Sequence, residues 1–206
     1  MGTVKPSPLN DSASRHEVST RHPVPIIGTH FLNVSYRGKI PCCCYKGARM
    51  KRFRLLALFI ILAYIPALSG IFVETGPWYE ALKKPPFQPP AWIFGPVWSV
   101  LYLLIGLAGY SAWTGLAPDK RKGPFILYGL QLILNGLWSW IFFGLHELGW
   151  ACLDIFALWL VIFVNMVAFF MIRASAGALL LPYFLWVTFA MMLNHIIWLM
   201  NRLPAA

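Results

Sequence analysis

The chain has 206 residues, 59% hydrophobic and only 12% charged, with a formal net charge of +10. A soluble domain carries about 45–50% apolar and about 25% charged residues, so this composition calls for lipid, not water, as the outer solvent. The positive charge does not point to nucleic acid. Residues 1–50 hold 7 Lys/Arg against 2 Asp/Glu, residues 51–206 hold 10 against 5, and all 10 tryptophans follow residue 50, so no basic patch is interleaved with stacking platforms.

Residues 1–50 are polar, with scattered Pro, His and Ser, and show neither helical nor strand period and no signal-peptide apolar segment. They read as a disordered basic extension ahead of a membrane domain over 51–203. Met50-Lys51-Arg52-Phe53-Arg54 looks like a membrane-protein start, which predicts a native chain without residues 1–49. Cys42-Cys43-Cys44 are consecutive and Cys152 stands alone, a spacing that gives neither a disulfide framework nor a zinc site. The triplet is either a juxtamembrane acylation target or part of a tail without function. The start MGTVKP departs from the myristoylation pattern at Pro6.

Apolar spans then follow at about 53–73, 91–114, 124–144, 148–172 and 177–200, each close to the ~20 residues that a bilayer core requires. Backbone polar groups in lipid must be satisfied within the segment, so the spans are helices. The fold class is an all-α membrane protein, a five-helix bundle with a disordered N-terminal extension. Short connections predict that sequential helices are antiparallel neighbours, and no internal repeat suggests an inverted-repeat transporter. Lys51, Arg52, Arg54, Lys120, Arg121, Lys122 and Arg173 fall on one side, against Lys83, Lys84 and Arg202 on the other. The first set is cytoplasmic under the positive-inside rule.

The ramp KKPPFQPPAWIFGPVW, residues 83–98, places five prolines at the mouth of the second span. Pro89-Pro90 start the helix, where a missing N–H costs nothing. Pro85-Pro86 stiffen the first loop as a lid. Pro96 removes the hydrogen bond to the Trp92 carbonyl and should kink the first turns.

Projected at about 100° per residue, the helices show stripes of one character. Trp98, Tyr102, Ile105 and Gly109 share a face; so do Gln131, Asn135, Trp138 and Phe142; Trp150, Asp154, Ala157, Val161 and Asn165; and Tyr183, Trp186, Ala190, Leu193 and Asn194. Singly, a membrane Asn or Gln often only bonds a neighbouring helix, at roughly 0.6–2 kcal/mol, and a Trp near a span's end is usually an interfacial anchor. Together, aromatic walls with a few convergent polar groups describe a small-molecule pocket. Asp154 must face protein or water, yet it lies about one turn into its span, where a structural role competes with a functional one. His195 is either a ligand contact or a packing residue. Nucleotide loops, HExxH and other metal clusters, and Ser/His/Asp sets are absent from the sequence.

Met50 to Arg202 resembles the translocator protein / tryptophan-rich sensory protein (TspO/MBR) family. The motifs are WYEALKKPPFQPPAWIFGPVWSVLY (78–102), QLILNGLWSWIFFG (131–144), GWACLD (149–154) and PYFLWVTFAMMLN (182–194). The resemblance implies a five-helix membrane receptor or carrier, often a homodimer, in a bacterial envelope, mitochondrial or secretory-organelle membrane. Its expected ligands are porphyrins (protoporphyrin IX, heme-type tetrapyrroles) and sterols, with a role in their trafficking or in stress regulation and no metal or resident cofactor. By motif position the ligand site comprises Trp92, Trp98, Tyr102, Asn135, Trp138, Trp150, Asp154, Trp186, Ala190 and Leu193. LNHIIWLMNR places His195 where the family's sterol motif needs Tyr, which favours a tetrapyrrole. The alternative implied by some relatives is light-dependent oxidative porphyrin degradation, with Trp98 and Trp186 as redox partners.

Overall fold

The computed structural model describes residues 43–71 and 76–202. Its helices are α1 (Cys43–Tyr64), α2 (Ala67–Ile71), α3 (Pro77–Ala81), α4 (Ala91–Gly115), α5 (Lys122–Ser139), α6 (Leu148–Ile172) and α7 (Ala174–Asn201). A 3-10 turn spans Pro118–Lys120, and a π turn continues α5 over Trp140–Gly144. Five segments are long and apolar enough to cross a membrane: Arg49–Gly70, Ala91–Gly115, Lys122–Gly144, Leu148–Ile172 and Ala174–Asn201. The protein is therefore an integral multi-pass membrane protein with the five-span helical fold read from the sequence.

The element ends have local causes. Residues 43–50, assigned by sequence to the polar extension, are helical; Ala48, Arg49, Met50, Lys51 and Arg52 are all good helix formers, so the helix runs past its apolar part. The remainder of the proposed extension, with Cys42, lies outside the described residues. The first span is not one continuous helix. Pro66 has no N–H and disfavours helical backbone at Ile65, so α1 ends at Tyr64 and α2 restarts at Ala67, bridged by bonds such as Ser69 Oγ to the Pro66 carbonyl at 2.6 Å. Pro90, extended at ψ 143°, leads into α4, which continues through Pro96 to Gly115. Arg173 alone, extended at φ −159°, separates α6 from α7.

The packing corrects one expectation. Helices α1 and α4, α4 and α7, α7 and α6, and α6 and α5 are neighbours, and α5 returns to the first span through α2. This is a ring in the order of spans one, two, five, four, three. Spans two and three, though joined by a short connection, do not pack backbone to backbone; they meet across the interior through long side chains such as Tyr102 with Asn135 and Tyr128 with the Ile105 carbonyl. Close approach of α1 to α4 depends on Gly106, where a Cβ would come within 2.8 Å of the Ile60 Cα. The ring has two ends. The basic end carries the starts of α1, α5 and α7, and the other carries residues 76–90, called the lid below.

Candidate ligand-binding site

Inside the ring, toward the lid, α4, α5 and α7 are tied by a hydrogen-bonded chain. The Tyr102 hydroxyl donates to Asn135 Oδ1 at 2.9 Å, and Asn135 Nδ2 donates to the Tyr183 hydroxyl at 3.1 Å. Trp98 stacks on Tyr102 with centroids 5.4 Å apart and meets Tyr183 edge-on at 6.2 Å. Helix periodicity produces this convergence: Trp98 and Tyr102 are one turn apart on α4, so one face offers both ring and hydroxyl. Tyr183 and Gln131 have 0% of their surface exposed and Asn135 only 3%.

Other buried polar atoms in the bundle lack partners among the described residues. They are Trp138 Nε1, Trp186 Nε1, Asp154 Oδ2, Asn194 Oδ1 and both amide atoms of Gln131 and of Asn165. Each unpaired buried group costs about 1–3 kcal/mol. The partnered half of Asn194 donates from Nδ2 to Cys152 Sγ at 2.8 Å, linking α7 to α6.

The residues singled out from sequence fall into three groups. Trp98, Tyr102 and Asn135 are in direct contact with Tyr183 or with one another, while Trp138, Trp186 and Ala190 belong to the same packed interior. Asp154 and Leu193 are buried at 8% and 6% exposure. Trp92 and Trp150, 74% and 65% exposed, point away from this interior. Trp92 leaves the first turn of α4 outward, and Trp150 lines a groove on the outer face of α6 and α7. Their helical phase was legible, but near a span's end the same phase serves an interfacial anchor equally well.

The lid is held at several points. Trp78 stacks on His146 at 4.0 Å and meets Phe142 edge-on at 6.1 Å; Tyr79 packs on Phe143 at 5.4 Å. Phe142 in turn lies 5.2 Å from Trp138. The π turn makes this possible, since the Leu145 N–H reaches back five residues to the Trp140 carbonyl and the widened turn buries Phe142 while leaving Trp140 47% exposed. His146, at φ 60°, holds the αL conformation that ends the segment. Gln88 Nε2 donates to the Tyr79 hydroxyl at 2.8 Å, and Lys84 Nζ sits 4.1 Å over the Tyr79 ring. Burial raises the Tyr79 phenol above its ordinary value, with the Gln88 bond acting in the opposite sense. At the lid's far end Lys83 N–H donates to Asn201 Oδ1 at 3.0 Å, and Asn201 Nδ2 donates back to the Lys83 carbonyl at 2.9 Å. No local pattern signals this link between residues 118 apart, whereas Trp78 and Tyr79 sit in the WYEALKKPP motif.

Comparisons with known proteins give the chain a family. The profile of the TspO/MBR family matches residues 56–199. The Tryptophan-rich protein TspO of Archaeoglobus fulgidus is 44% identical over 158 residues, covering 74% of this chain and 99% of that protein. The Translocator protein of Homo sapiens is 38% identical over 127 residues, 61% of this chain and 75% of the relative. Protein CrtK of Rhodobacter capsulatus is 35% identical over 149 residues, 71% and 92% of the two chains. With the family profile matching residues 56–199 and these relatives 35–44% identical, the chain belongs to the TspO/MBR family.

Proposed function

We propose that this chain is a membrane receptor or carrier for a flat hydrophobic ligand of the porphyrin type, acting in tetrapyrrole trafficking or stress regulation. One observation carries the reading: the aromatic interior beneath the lid contains buried N–H and oxygen atoms with no protein partner. A porphyrin matches such a wall. Its faces stack on Trp and Tyr rings, and its peripheral carboxylates accept from the Trp138 and Trp186 indole N–H groups. A sterol offers one hydroxyl and no aromatic face, and so uses less of the site. The interior rings touch one another at 5.2–6.2 Å, so ligand access requires the lid to lift and the rings to part.

The test is titration of the detergent-solubilised protein with metal-free protoporphyrin IX, followed by tryptophan fluorescence. Saturable quenching is expected. Trp138→Phe and Trp186→Phe, which replace the indole by a smaller aromatic ring without the N–H, should each weaken affinity about five- to tenfold, the worth of one hydrogen bond near 1 kcal/mol. Unchanged affinity in both variants would overturn the assignment.

A further inference from the structure

The seam between the first span and α5 is closed at one end and open at the other. Toward the lid the two segments touch, and a Cβ on Gly136 would lie 3.6 Å from the Pro66 Cα. Toward the basic end they part and leave a groove of about 320 Å³, walled by Leu55, Leu58 and Leu62 of α1 and by Leu132 of α5. The buried rings of Phe59 and Tyr128 close its inner side. Leu58 is 49% exposed, so the groove opens on the outer surface of the bundle, toward lipid. From Leu55 to Leu62 it runs about 10 Å at 1.5 Å per residue, within the about 15 Å of hydrocarbon in one leaflet.

The mouth of the groove is charged. Lys51 and Arg52 precede Leu55 by four and three residues, and Lys122 precedes Phe125 by three, so each apolar stripe continues into cations one helical turn further on. Leu55 and Phe125 line the same groove, which brings these cations to its mouth from both sides. All three are exposed. Arg121, in contrast, is engaged with the Leu116 carbonyl and the Trp113 ring. Among the described residues Asp119 is the one carboxylate at this end, so the positive charge is in excess. An anion attached to an apolar chain matches both parts. A sterol brings one neutral hydroxyl and leaves the charges unused. A second copy related by a twofold axis would set these cations against their own equivalents, because such an interface uses the same patch on both chains, and like charges in contact oppose association.

We propose that the groove between α1 and α5 binds one anionic phospholipid, its acyl chain along Leu55, Leu58 and Leu62 and its phosphate paired with Lys51, Arg52 and Lys122. Ammonium and guanidinium groups donate charge-assisted hydrogen bonds to the phosphate oxygens, while the chain fills the gap between spans one and three. The lipid closes the ring where packing of the two helices does not. The site is independent of the interior beneath the lid and shares none of its residues.

The experiment titrates the full-length protein, in a neutral detergent, with phosphatidylglycerol and with phosphatidylcholine of the same acyl chains, and counts bound lipids by native mass spectrometry. One phosphatidylglycerol per chain should bind at least tenfold more tightly than phosphatidylcholine. Lys51→Gln, Arg52→Gln and Lys122→Gln should each weaken it about fivefold, and the triple variant should lose the preference for the anionic lipid. Gly129 lines the groove, and a Cβ there meets nothing within 4 Å. Gly129→Leu therefore fills the groove with every cation intact, and should weaken phosphatidylglycerol at least fivefold while the lipid-free thermal midpoint does not fall. Water-soluble glycerol 3-phosphate should not displace the lipid. Equal affinity for the two lipids in the parent protein would overturn the proposal, as would a preference that survives in the triple variant. Displacement by glycerol 3-phosphate would reduce the site to a surface anion contact and overturn the role of the groove. A dimer that dissociates in Gly129→Leu with lipid binding unchanged would give the groove to a second copy instead.

Discussion

The two ends of the bundle are built from the same residue types and differ in how their polar atoms are satisfied. At the basic end Phe59, Trp113, Phe125, Tyr128 and Phe169 form an aromatic cluster, with Trp113 and Phe125 4.8 Å apart and Tyr128 stacked on Phe169 at 6.1 Å. The Tyr128 hydroxyl donates to the Ile105 carbonyl at 3.3 Å, and Arg121 lies 4.4 Å over Trp113 while bonding the Leu116 carbonyl at 3.0 Å. A Cβ at Gly109 would come within 2.8 Å of both Phe59 and Tyr128, so the cluster is tight where it meets α4, while its other side lines a groove of about 320 Å³ with Leu55, Leu58 and Leu62 of α1. Toward the lid the aromatic density is similar, but two indole N–H groups and a carboxylate oxygen are buried without partners among the described residues, whereas the unpartnered groups bordering the basic cluster are the amides of Gln131 and Asn165, each about one turn from Tyr128 or Phe169. Aromatic content alone therefore does not mark a binding site in a membrane protein. What distinguishes the lid end among the described residues is indole N–H groups and a carboxylate oxygen left without partners inside an aromatic wall.

The comparison breaks first if the basic end is not structural. Phe169→Ala removes a ring with 0% exposure. In water Phe→Ala typically costs 3–5 kcal/mol, but in lipid the transfer part of that cost largely disappears because the surroundings are as apolar as the core. The cavity part, about 2 kcal/mol, should remain. The expected result is a clear fall in thermal midpoint with porphyrin affinity unchanged in the folded protein; lost affinity at full stability would reverse the roles of the two ends.

A smaller effect of opposite sign is expected toward the lid. Trp186→Phe deletes a buried N–H that has no acceptor, so the variant should be as stable as the parent or up to about 1 kcal/mol more stable. Its ligand affinity should nevertheless fall. Destabilisation like that of Phe169→Ala would mean that the indole N–H is a structural group and not one reserved for a ligand.

The parts of the molecule legible in sequence are those that a single helix determines. The bounds of α6 follow from an apolar run between Glu147 and Arg173 interrupted by just Asp154 and Asn165, and the buried faces of Tyr102, Ile105 and Gly109 follow from period alone. What depends on several helices was not legible. The Tyr102–Asn135–Tyr183 chain joins three spans, and the ring order sets α4 beside α7 rather than α5. The π turn depends on how Phe142 packs, because nothing in WIFFG distinguishes it from a regular α turn. Trp92 and Trp150 carried the right chemistry in ambiguous positions, and only packing reveals that both face outward.

The smallest effect concerns the boundary between the lid and the site. Asn201 binds the lid backbone through two hydrogen bonds, accepting from the Lys83 N–H and donating to the Lys83 carbonyl, while its amide also reaches the Ile197 carbonyl at 2.8 Å. Lys83 is exposed, so water replaces part of what is lost and the pair contributes about 1 kcal/mol. Asn201→Ala should therefore raise the open population of the lid about fivefold. Hydrogen exchange of the Lys83 amide and the porphyrin release rate should both increase by that factor, with the thermal midpoint nearly unchanged. Asn201→Asp retains the acceptor for the Lys83 N–H and loses the donor to its carbonyl, so it should fall between the two. If exchange rises in Asn201→Ala while the release rate does not, the ligand leaves by another route, and the lid closes the bundle without gating the site.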